Sequence, residues 1–449
     1  MLNIKIHFAA ITFFAFFFST VSAQPQIEWL KSQQDLNGSG LVDSYENDGT
    51  NRAYLYDQAL AVIAFSREGE QLRAKMLLER VAQLQSSEGG WYECYDAADP
   101  NILPAGRIYN TGQISWMVIA TNYYQARTGD ANYAEVADTA LEYLGTVMVT
   151  NPSEESYGAI RYCSGPDCPI PNAISTEHNH DAYSAFYWRG IIDGNESYLA
   201  VAELIRGYLS REMWGESPES DCPYNSRVFW RGFEDCAWCT DTQSWGVLSL
   251  GSLGPANEPF YESLNWLWYS PLGNTRTSQD FNGTVLNVDG FKSCTDEPYD
   301  YVWVEATDGV AAAYYAVCDW EKGDYFHGQT SRVISSNGAL PHSFSGSDPD
   351  TIRWPDNWRL NSVAATCWYY FNERKLNPFN LASANSFFAA DIEQNGLVDL
   401  FDYSIMANEW GQGGIGLRGD CTSDCQVDLQ DLALMAEKWL DKLEDLTAE

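Results

Sequence analysis

Apolar, helix-compatible stretches recur along most of the chain at a nearly constant spacing. They begin near Tyr54, Gln113, Asp181, Gln243, Thr307 and Ser362, in steps of 55 to 68 residues. Self-similarity on this scale is typical of folds that stack one repeated unit. The spacing therefore predicts six units of similar construction.

A tight turn and a second helix follow several of these stretches. The turns contain Gly69-Glu70, Gly129-Asp130, Gly194-Asn195 and Gly323-Asp324. Glycine suits the left-handed position that ends one helix, and Asp or Asn accepts the free amides that begin the next. Each unit is therefore predicted to be a helical hairpin.

The two helices of a hairpin differ in polarity. The first helices, such as residues 59–65, are apolar nearly all round, whereas the second helices, such as 71–83 and 196–212, carry charges on one face. This difference predicts an inner ring and an outer ring, which together form an all-α (α/α)6 toroid. An open solenoid of hairpins is the alternative, but solenoid repeats are shorter and joined by shorter links than those found here.

The net charge of the chain argues against two classes of binding partner. The 449 residues contain 26 Lys and Arg against 62 Asp and Glu, giving a net charge of −36. Such a chain would repel nucleic acids and anionic membranes, so we expect it to bind neither. The hydrophobic content of 45% is ordinary for a folded globular protein.

The N-terminus has the pattern of a secretory signal peptide, predicted over residues 1–23. Lys5 precedes an apolar run from Phe8 to Phe18, and Val21-Ser22-Ala23 offers small residues for cleavage. A membrane anchor is the alternative, but the run is shorter than the roughly 18 residues that span a bilayer. We therefore expect a secreted, extracellular protein without a membrane span.

Eleven cysteines would then meet an oxidising environment. Several are clustered, which favours short-loop disulfides within the groups Cys163 with Cys168, Cys222 with Cys236 and Cys239, and Cys421 with Cys425. A zinc site at Cys236 and Cys239 is the alternative, although the chain lacks a second CxxC or paired-histidine motif. The odd number leaves at least one thiol free.

Long polar and aromatic segments lead into the first helices, so a closed ring would bring them together at one mouth. The chain has 17 Trp, 27 Tyr and 20 Phe, and aromatic faces stack on the apolar faces of sugar rings while carboxylates and amides bind their hydroxyls. A glycan-binding cleft is the interpretation, although most aromatic residues of any protein simply pack its core. The predicted substrate-binding residues are Tyr45, Glu46, Trp91, Tyr109, Asn110, His178, Asn179, Asp181, Gln243, Trp245, Trp303 and Trp354.

Carboxylates at the mouth indicate a chemistry. Glycosidic cleavage uses one carboxylic acid to protonate the leaving oxygen and one carboxylate to activate water or attack carbon. The candidate catalytic residues are Glu177, Asp241, Glu305 and Asp57, all near the start of a first helix. Glu305 or Glu177 is the expected proton donor and Asp241 the expected base. Helix N-termini also attract acids for stability alone, which is the competing interpretation for Asp181 and Asp308.

The repeat count and two segments, Ser175 to Asn179 and Trp303 to Thr307, resemble the six-hairpin glycosidase superfamily over residues 24–380. The resemblance implies hydrolysis of a polysaccharide or oligosaccharide. A non-catalytic glycan-binding toroid is one alternative.

A polysaccharide lyase on the same fold is the other alternative. It could use the side chains of His178, Asn179, His180 and Tyr183. It would also need cations to neutralise a uronic acid, for which Arg107, Arg161, Arg189 and Arg231 are available.

The C-terminal region contains the clearest motif. Residues 391–402 place oxygen-bearing side chains at loop positions 1, 3, 5, 9 and 12, with Gly396 at position 6, which is the spacing of a calcium-binding loop. The pattern recurs 29 residues later in residues 420–431, and an apolar helix follows each loop. Acidic turns without metal are the alternative.

This duplicated loop and helix resembles the type I dockerin, a small module that docks onto a cohesin partner. The resemblance implies a dockerin-like domain over residues 389–449 after a linker at 381–388, two Ca²⁺ ions, and a cohesin-like partner; an attachment or a stabilising role are both open. Two residues depart from the pattern. Cys425 replaces glycine at position 6 of the second loop, where a bond to Cys421 could stabilise the turn, and Glu393 at position 3 of the first loop is bulkier than the usual residue. The implied calcium ligands are Asp391, Glu393, Asn395, Leu397, Asp399 and Asp402, then Asp420, Thr422, Asp424, Gln426, Asp428 and Asp431.

Overall fold

The structure is a computed structural model that describes residues 24–101, 107–216, 227–235, 237–252, 258–269, 275–281, 284–296, 301–344 and 360–443. The predicted signal peptide, Trp354, Cys222 and Cys236 lie outside these residues. None of the described helices is long and apolar enough to cross a membrane.

Six helices that are buried on nearly every side form a closed inner ring. Each contacts the next, and the last contacts the first. The predicted toroid is therefore confirmed, and an open solenoid is excluded. The inner helices are α2 (Leu55–Arg67), α4 (Thr111–Thr128), α6 (Thr176–Asp193), α8 (Thr240–Leu250), α10 (Val304–Ala316) and α12 (Val363–Glu373).

The outer ring differs from the predicted order at one place. Five outer helices follow their inner partners, but the sixth, α1, comes from the start of the described chain and packs against α12 and α2. The ring is thus closed by the two ends of the repeat region. The outer helices are α1 (Pro25–Asp35), α3 (Gln71–Leu84), α5 (Ala134–Thr146), α7 (Glu196–Tyr208), α9 (Glu262–Tyr269) and α11 (Trp320–Thr330).

Three of the four predicted hairpin turns lie where expected, but Gly323-Asp324 falls inside α11, and the turn before that helix contains Cys318 with a φ of 64°. Gly129 and Gly194 end α4 and α6 in the left-handed conformation, with φ of 75° and 61°. The Asn195 side chain then accepts the amides of Ser197 and Tyr198 at the start of α7. These contacts satisfy helix ends that would otherwise leave free polar groups.

Short antiparallel ladders fix the chain where it enters several inner helices. β1, β3 and β9 run directly into α2, α4 and α10, so pairing of their backbones orients the first turn of each helix toward the mouth. The pairs are β1 (Arg52–Tyr54) with β2 (Cys94–Asp96), β3 (Tyr109–Asn110) with β4 (Cys163–Ser164), β5 (Trp214–Glu216) with β6 (Arg227–Phe229), β7 (Thr275–Phe281) with β8 (Thr284–Gly290), and β9 (Val302–Trp303) with β10 (Ser343–Phe344).

Three tryptophans from alternate inner helices meet on the ring axis and close it. The ring centroids of Trp116, Trp245 and Trp368 lie 6.0–6.3 Å apart. Phe379, from the segment after α12, lies 4.8 Å from Trp116 and 6.1 Å from Trp245. We call these four residues the aromatic floor.

The segment predicted as a linker at 381–388 is instead structured and packed against the toroid. A 3-10 turn at Leu381–Ser383 leads into α13 (Ser386–Ala390). Phe387 and Phe388 are buried, and Phe388 packs 6.0 Å from Trp188 of α6. Because these aromatic side chains complete the base of the toroid, the segment cannot act as a free spacer.

The C-terminal helices α14 (Leu400–Asn408) and α15 (Leu429–Glu437) continue from this base. The fully buried Val398, Met406, Val427 and Met435 belong to the same contiguous apolar core as the toroid. The two parts of the chain are thus packed against each other.

The disulfides correct two of the three predicted groups. Cys163 pairs with Cys168, as expected. Cys239 pairs with Cys294, which removes it as a zinc ligand. Cys425 pairs with Cys318 at the end of α10, not with Cys421, which is free and buried. Ring closure brings α10 to the C-terminal region, which proximity in sequence could not indicate.

Candidate active site

A cavity of about 690 Å³ opens at the N-terminal ends of the inner helices. Trp116 and Trp245 of the aromatic floor form its bottom. Its lower end is therefore closed, and its wall is made from the first turns of the helices and the segments before them.

All four predicted catalytic acids line this cavity. Glu177, Asp241 and Glu305 are each the second residue of their helices, α6, α8 and α10, and Asp57 is the third residue of α2. Residues far apart in sequence meet because the ring closes and because each acid occupies the same turn of its helix.

Burial among like charges favours the protonated forms of these acids. Burial, together with the neighbouring carboxylates of Asp241, Asp181 and Glu305, raises the pKa of Glu177 well above its usual range. Burial raises the pKa of Asp241 to about 7 and that of Glu305 to about 8. It also raises the pKa of Asp57 to about 7. Strong shifts of this kind are typical of functional sites.

The acids differ in how their charged forms are stabilised. Glu305 accepts a 2.5 Å hydrogen bond from the Tyr56 hydroxyl, which in turn accepts a 2.8 Å bond from the Trp368 indole N–H. Asp241 accepts the Thr242 amide at 2.6 Å. Among the described residues, Glu177 has no contact that lowers its pKa, so it holds its proton most firmly.

Aromatic rings surround the mouth. Tyr162 stacks on His178 at 4.4 Å, with an interplanar angle of 17°. Tyr45 and Trp303 lie 5.8 Å and 6.4 Å from His342. These rings, together with the aromatic floor, offer apolar faces on several sides of the carboxylates.

Six of the predicted substrate-binding residues line the cavity, namely Tyr45, Asn110, His178, Asp181, Trp245 and Trp303. Glu46 does not. Its carboxylate is held outside by the side-chain amides of Asn361, at 2.6 Å, and Asn337.

Four further predicted contacts belong to the surrounding core. The Trp91 indole N–H donates to the Val81 carbonyl at 2.9 Å, and Tyr109 stacks on Tyr92 at 5.1 Å. Asn179 and Gln243 bind backbone instead, at Ile160 and Phe229 respectively. None of these four side chains lines the cavity.

The sequence interpretation missed Tyr162, His342 and the floor residue Trp116, and it named Arg231 only as a cation for the lyase alternative. Trp116 lies inside an apolar helix, where nothing distinguishes a residue on the ring axis from a core residue. Tyr162 and His342 come from segments whose sequence contains no motif that would indicate a binding site.

The residues that a lyase would need are dispersed. His180 is buried with its Nδ1 beside the Ser249 hydroxyl, and Tyr183 stacks on Tyr187. Arg189 pairs with Asp138 and Asp193, outside the cavity. Of the residues named for a lyase, His178 and Arg231 line the cavity and the others do not, so the described structure does not bring the set together there.

A second group of acids lies in the C-terminal loops. Carboxylate oxygens of Glu393, Asp399 and Asp402 converge in the first loop, and those of Asp420, Asp424 and Asp431 converge in the second. The two loops also have the same backbone conformation at two positions. Positions 4 and 6 have positive φ in both, at Gln394 and Gly396 and at Ser423 and Cys425.

Solved structures of similar fold include a glycosidase, a sugar epimerase and an unsaturated glucuronyl hydrolase. A wild-type glycosidase has a TM-score of 0.57 at 12% identity, covering 79% of this chain and 95% of its own. A sugar epimerase from a ruminal bacterium has a TM-score of 0.53 at 13% identity, covering 79% and 96%. An unsaturated glucuronyl hydrolase specific for heparin has a TM-score of 0.54 at 10% identity, covering 78% and 94%. No protein-family profile and no curated protein sequence matches the chain.

Proposed function

We propose that the protein is a secreted glycoside hydrolase that acts on a polysaccharide or oligosaccharide. The observation that carries the proposal is the convergence of Glu177, Asp241 and Glu305 in one cavity with an aromatic floor. Carboxylates provide the acid and base of glycosidic cleavage, and the rings provide stacking faces for sugars. The fold's glycan-processing neighbours support the same class.

Glu177 is proposed as the proton donor. Its neighbours Asp241, Asp181 and Glu305 all disfavour its anion, so it remains protonated at pH values where it must give a proton to the leaving oxygen.

Asp241 is proposed as the base. The Thr242 amide and the positive charge of Arg231 both favour its carboxylate. Glu305 is held in place by Tyr56, and once it ionises its negative charge disfavours the anion of Glu177.

The test is the release of reducing ends from neutral and acidic polysaccharides by wild type, Glu177→Gln, Asp241→Asn and Glu305→Gln. Each variant should lose at least about a hundredfold in kcat, since acid and base groups typically contribute that much or more. Aryl glycosides with a good leaving group need no proton donor, so Glu177→Gln should retain activity on them, whereas Asp241→Asn should not.

Asp308→Asn is the matched control. Asp308 is equally buried and lies on the same helix as Glu305, but it is outside the cavity and contacts His327 and Thr330. Glycan binding without hydrolysis by wild type would indicate the non-catalytic alternative and overturn the proposal. Full activity in all three cavity variants would overturn the site.

Sugar isomerisation is a second candidate, because His178 and His342 line the cavity. Burial lowers the pKa of each to about 4, so both imidazoles are neutral and could take a proton. The His178 Nδ1 is already engaged with the Thr111 hydroxyl at 3.0 Å, which favours hydrolysis. Deuterium uptake by a free monosaccharide in D₂O would identify isomerisation.

Secretion is supported by the signal-like N-terminus and by the disulfides Cys163–Cys168, Cys239–Cys294 and Cys318–Cys425. The domain division is proposed as 24–380 for the toroid and 389–449 for the C-terminal module. Detection of the mature chain beginning at Gln24 in culture medium is the test.

The C-terminal module is proposed to bind two Ca²⁺ ions. The two sets of converging carboxylates and the repeated loop backbone fit a hard cation. Bound calcium would neutralise acids that now repel one another within each loop. The proposed ligands are those implied by the sequence, from Asp391 to Asp402 and from Asp420 to Asp431. Calorimetric titration of the chelated protein should give two sites, and Asp402→Ala with Asp431→Ala should remove both.

A cohesin-like partner is proposed for the exposed face of this module. Its two halves expose apolar side chains at equivalent positions, with Leu400 at 69% and Leu429 at 71%, and with Trp410 and Trp439 partly exposed. Paired exposed residues of this kind are typical of interaction surfaces. Calcium-dependent binding to a purified cohesin, lost in Leu400→Asp with Leu429→Asp, is the expected result.

A further inference from the structure

The ionisable groups around the cavity are mostly carboxylic acids. Seven carboxylic acids line it, namely Asp57, Glu93, Glu177, Asp181, Asp235, Asp241 and Glu305. Arg231 is the one Lys or Arg side chain among the described lining residues. Its guanidinium is already paired with Asp235, at 2.7 Å, and with Asp296, at 2.9 Å.

The remaining basic groups of the wall are neutral. Burial holds the pKa of His178 and His342 at about 4, so neither imidazole carries a charge near neutral pH. A carboxylate on the substrate would therefore be removed from water among carboxyl groups that cannot balance its charge, without a free cation to receive it.

One acid in the cavity lacks a partner in the protein. Asp181 is 1% exposed, and neither of its carboxylate oxygens has a hydrogen-bond partner among the described residues. The indole of Trp116 lies near it without completing a bond. A buried polar group without a partner is rare and indicates a ligand that supplies one.

The position of Asp181 relates it to the proposed chemistry. It lies on α6 four residues after Glu177, so the two side chains share a face of the helix, with Asp181 one turn further from the mouth. A sugar ring resting on the aromatic floor would present its hydroxyls at this depth. Hydroxyls donate hydrogen bonds, and a carboxyl group with two free oxygens accepts them.

We infer that the cavity selects glycans whose sugars carry no carboxylate group, and that Asp181 binds hydroxyls of the innermost sugar. The inference rests on the proposed function and adds to it the class of substrate and a residue that determines specificity.

The first experiment compares matched oligosaccharides. Glucuronan, polygalacturonate and mannuronan oligosaccharides are each tested beside the same material after its carboxyl groups are reduced to primary alcohols. Binding is measured by tryptophan fluorescence with Glu177→Gln, and cleavage with wild type. At least one reduced form should bind at least ten times more tightly than its acidic parent.

The second experiment changes Asp181. Removing the carboxyl group removes the hydrogen bonds that it would make to sugar hydroxyls, so Asp181→Ala should weaken binding of the preferred neutral oligosaccharide, and raise its KM, by at least tenfold. Ser184→Ala is the matched control, since Ser184 is equally buried on α6, also lacks a hydrogen-bond partner, and does not line the cavity. It should leave KM unchanged. Thermal unfolding of both variants separates a folding defect from a binding defect.

The outcomes separate the two proposals. Tighter binding or faster cleavage of the acidic forms would overturn the inference while leaving the hydrolase intact. Binding of reduced forms without cleavage would overturn the hydrolase and support the inference. Failure to bind any oligosaccharide of the set, or unchanged KM in Asp181→Ala, would overturn the inference.

Discussion

Two acids in the early turns of inner helices differ in what their side chains contact. Asp181 and Asp308 both occupy the early part of an inner helix and are equally buried. Asp308 accepts hydrogen bonds from Thr330 and Asn372, whereas Asp181 faces the cavity. Their roles diverge because helical phase turns one toward the axis and the other toward the outer ring.

At the same scale, Arg231 tunes the proposed base. Its positive charge lowers the pKa of Asp241 against the effect of burial. Replacing it in Arg231→Gln should raise that pKa, so the carboxylate is lost at a higher pH. The acidic limb of the activity profile should therefore move to higher pH by a few tenths of a unit.

The measurement is kcat/KM between pH 4 and 9. Arg206→Gln removes an exposed arginine that pairs with Glu203 on the outer ring, and its profile should match that of wild type. An acidic limb that moves to lower pH in Arg231→Gln would contradict the assignment of Asp241 as the base.

Single residues also show which parts of the site could not be predicted from the sequence. Glu177, Asp241 and Glu305 could be found because each begins a recognisable helix. The sequence did not indicate which of Trp91 and Trp116 lines the cavity. A tryptophan in a mouth segment can point into the core, as Trp91 does, and a tryptophan in an apolar helix can reach the ring axis, as Trp116 does. Only the rotation of each helix about its own axis decides this, and periodicity does not report it.

At the scale of elements, the aromatic floor couples the base of the ring to the cavity. Phe379 is 1% exposed and touches tryptophans from two floor helices that line the cavity. Phe379→Ala should destabilise the protein by about 3–5 kcal/mol, as expected for a buried phenylalanine. Glycan binding should weaken as well, since Trp116 and Trp245 lose their support.

Urea unfolding and oligosaccharide titration check this expectation. Phe401→Ala removes an exposed phenylalanine of α14 and should change neither result. A Phe379→Ala protein with normal binding and stability would mean that the floor is rigid without its fourth ring.

A second contact between elements depends on pH. His327 of α11 lies between Asp308 of α10, at 3.1 Å, and Glu373 of α12, at 2.7 Å. Burial lowers the pKa of His327, but these two carboxylates raise it by more, so the pKa lies above its usual value. The contact therefore stabilises the fold fully below about pH 6.5, the ordinary histidine pKa, and less as the pH rises through the raised value.

His327→Gln should thus cost about 1.5–3 kcal/mol at pH 5.5 and less at pH 9. The free energy of unfolding at both values, from urea titrations, is the check. Gln329→Ala on the same helix serves as the control, and an equal cost at both pH values would show that the charge of His327 is unimportant.

At the scale of the whole molecule, a disulfide bond joins the toroid to the C-terminal module. The Cys318–Cys425 disulfide connects the end of α10 to position 6 of the second calcium-type loop across 107 residues. Closing a loop of that length restricts the unfolded chain by about 4–5 kcal/mol. The toroid and module should therefore unfold in one transition.

Cys318→Ser and Cys425→Ser should each split this transition in calorimetry, with the module melting first when calcium is chelated. Cys94→Ser removes a free cysteine and should keep one transition. A single transition in all three variants would mean that packing of the shared core suffices to unite the two regions.

The architecture as a whole was the most predictable feature, because helix period and hairpin spacing are encoded locally. The origin of the sixth outer helix, the burial of 381–388 and the partner of Cys425 were not. Each depends on where the two ends of the repeat region meet, and that is a property of the closed ring.

The aromatic floor has one more consequence for a polymer. Because Trp116, Trp245, Trp368 and Phe379 close the ring axis, a long chain cannot thread through the ring and can reach the carboxylates only from the mouth. In the proposed hydrolase, the sugars that are released must therefore leave by the same opening through which the substrate entered.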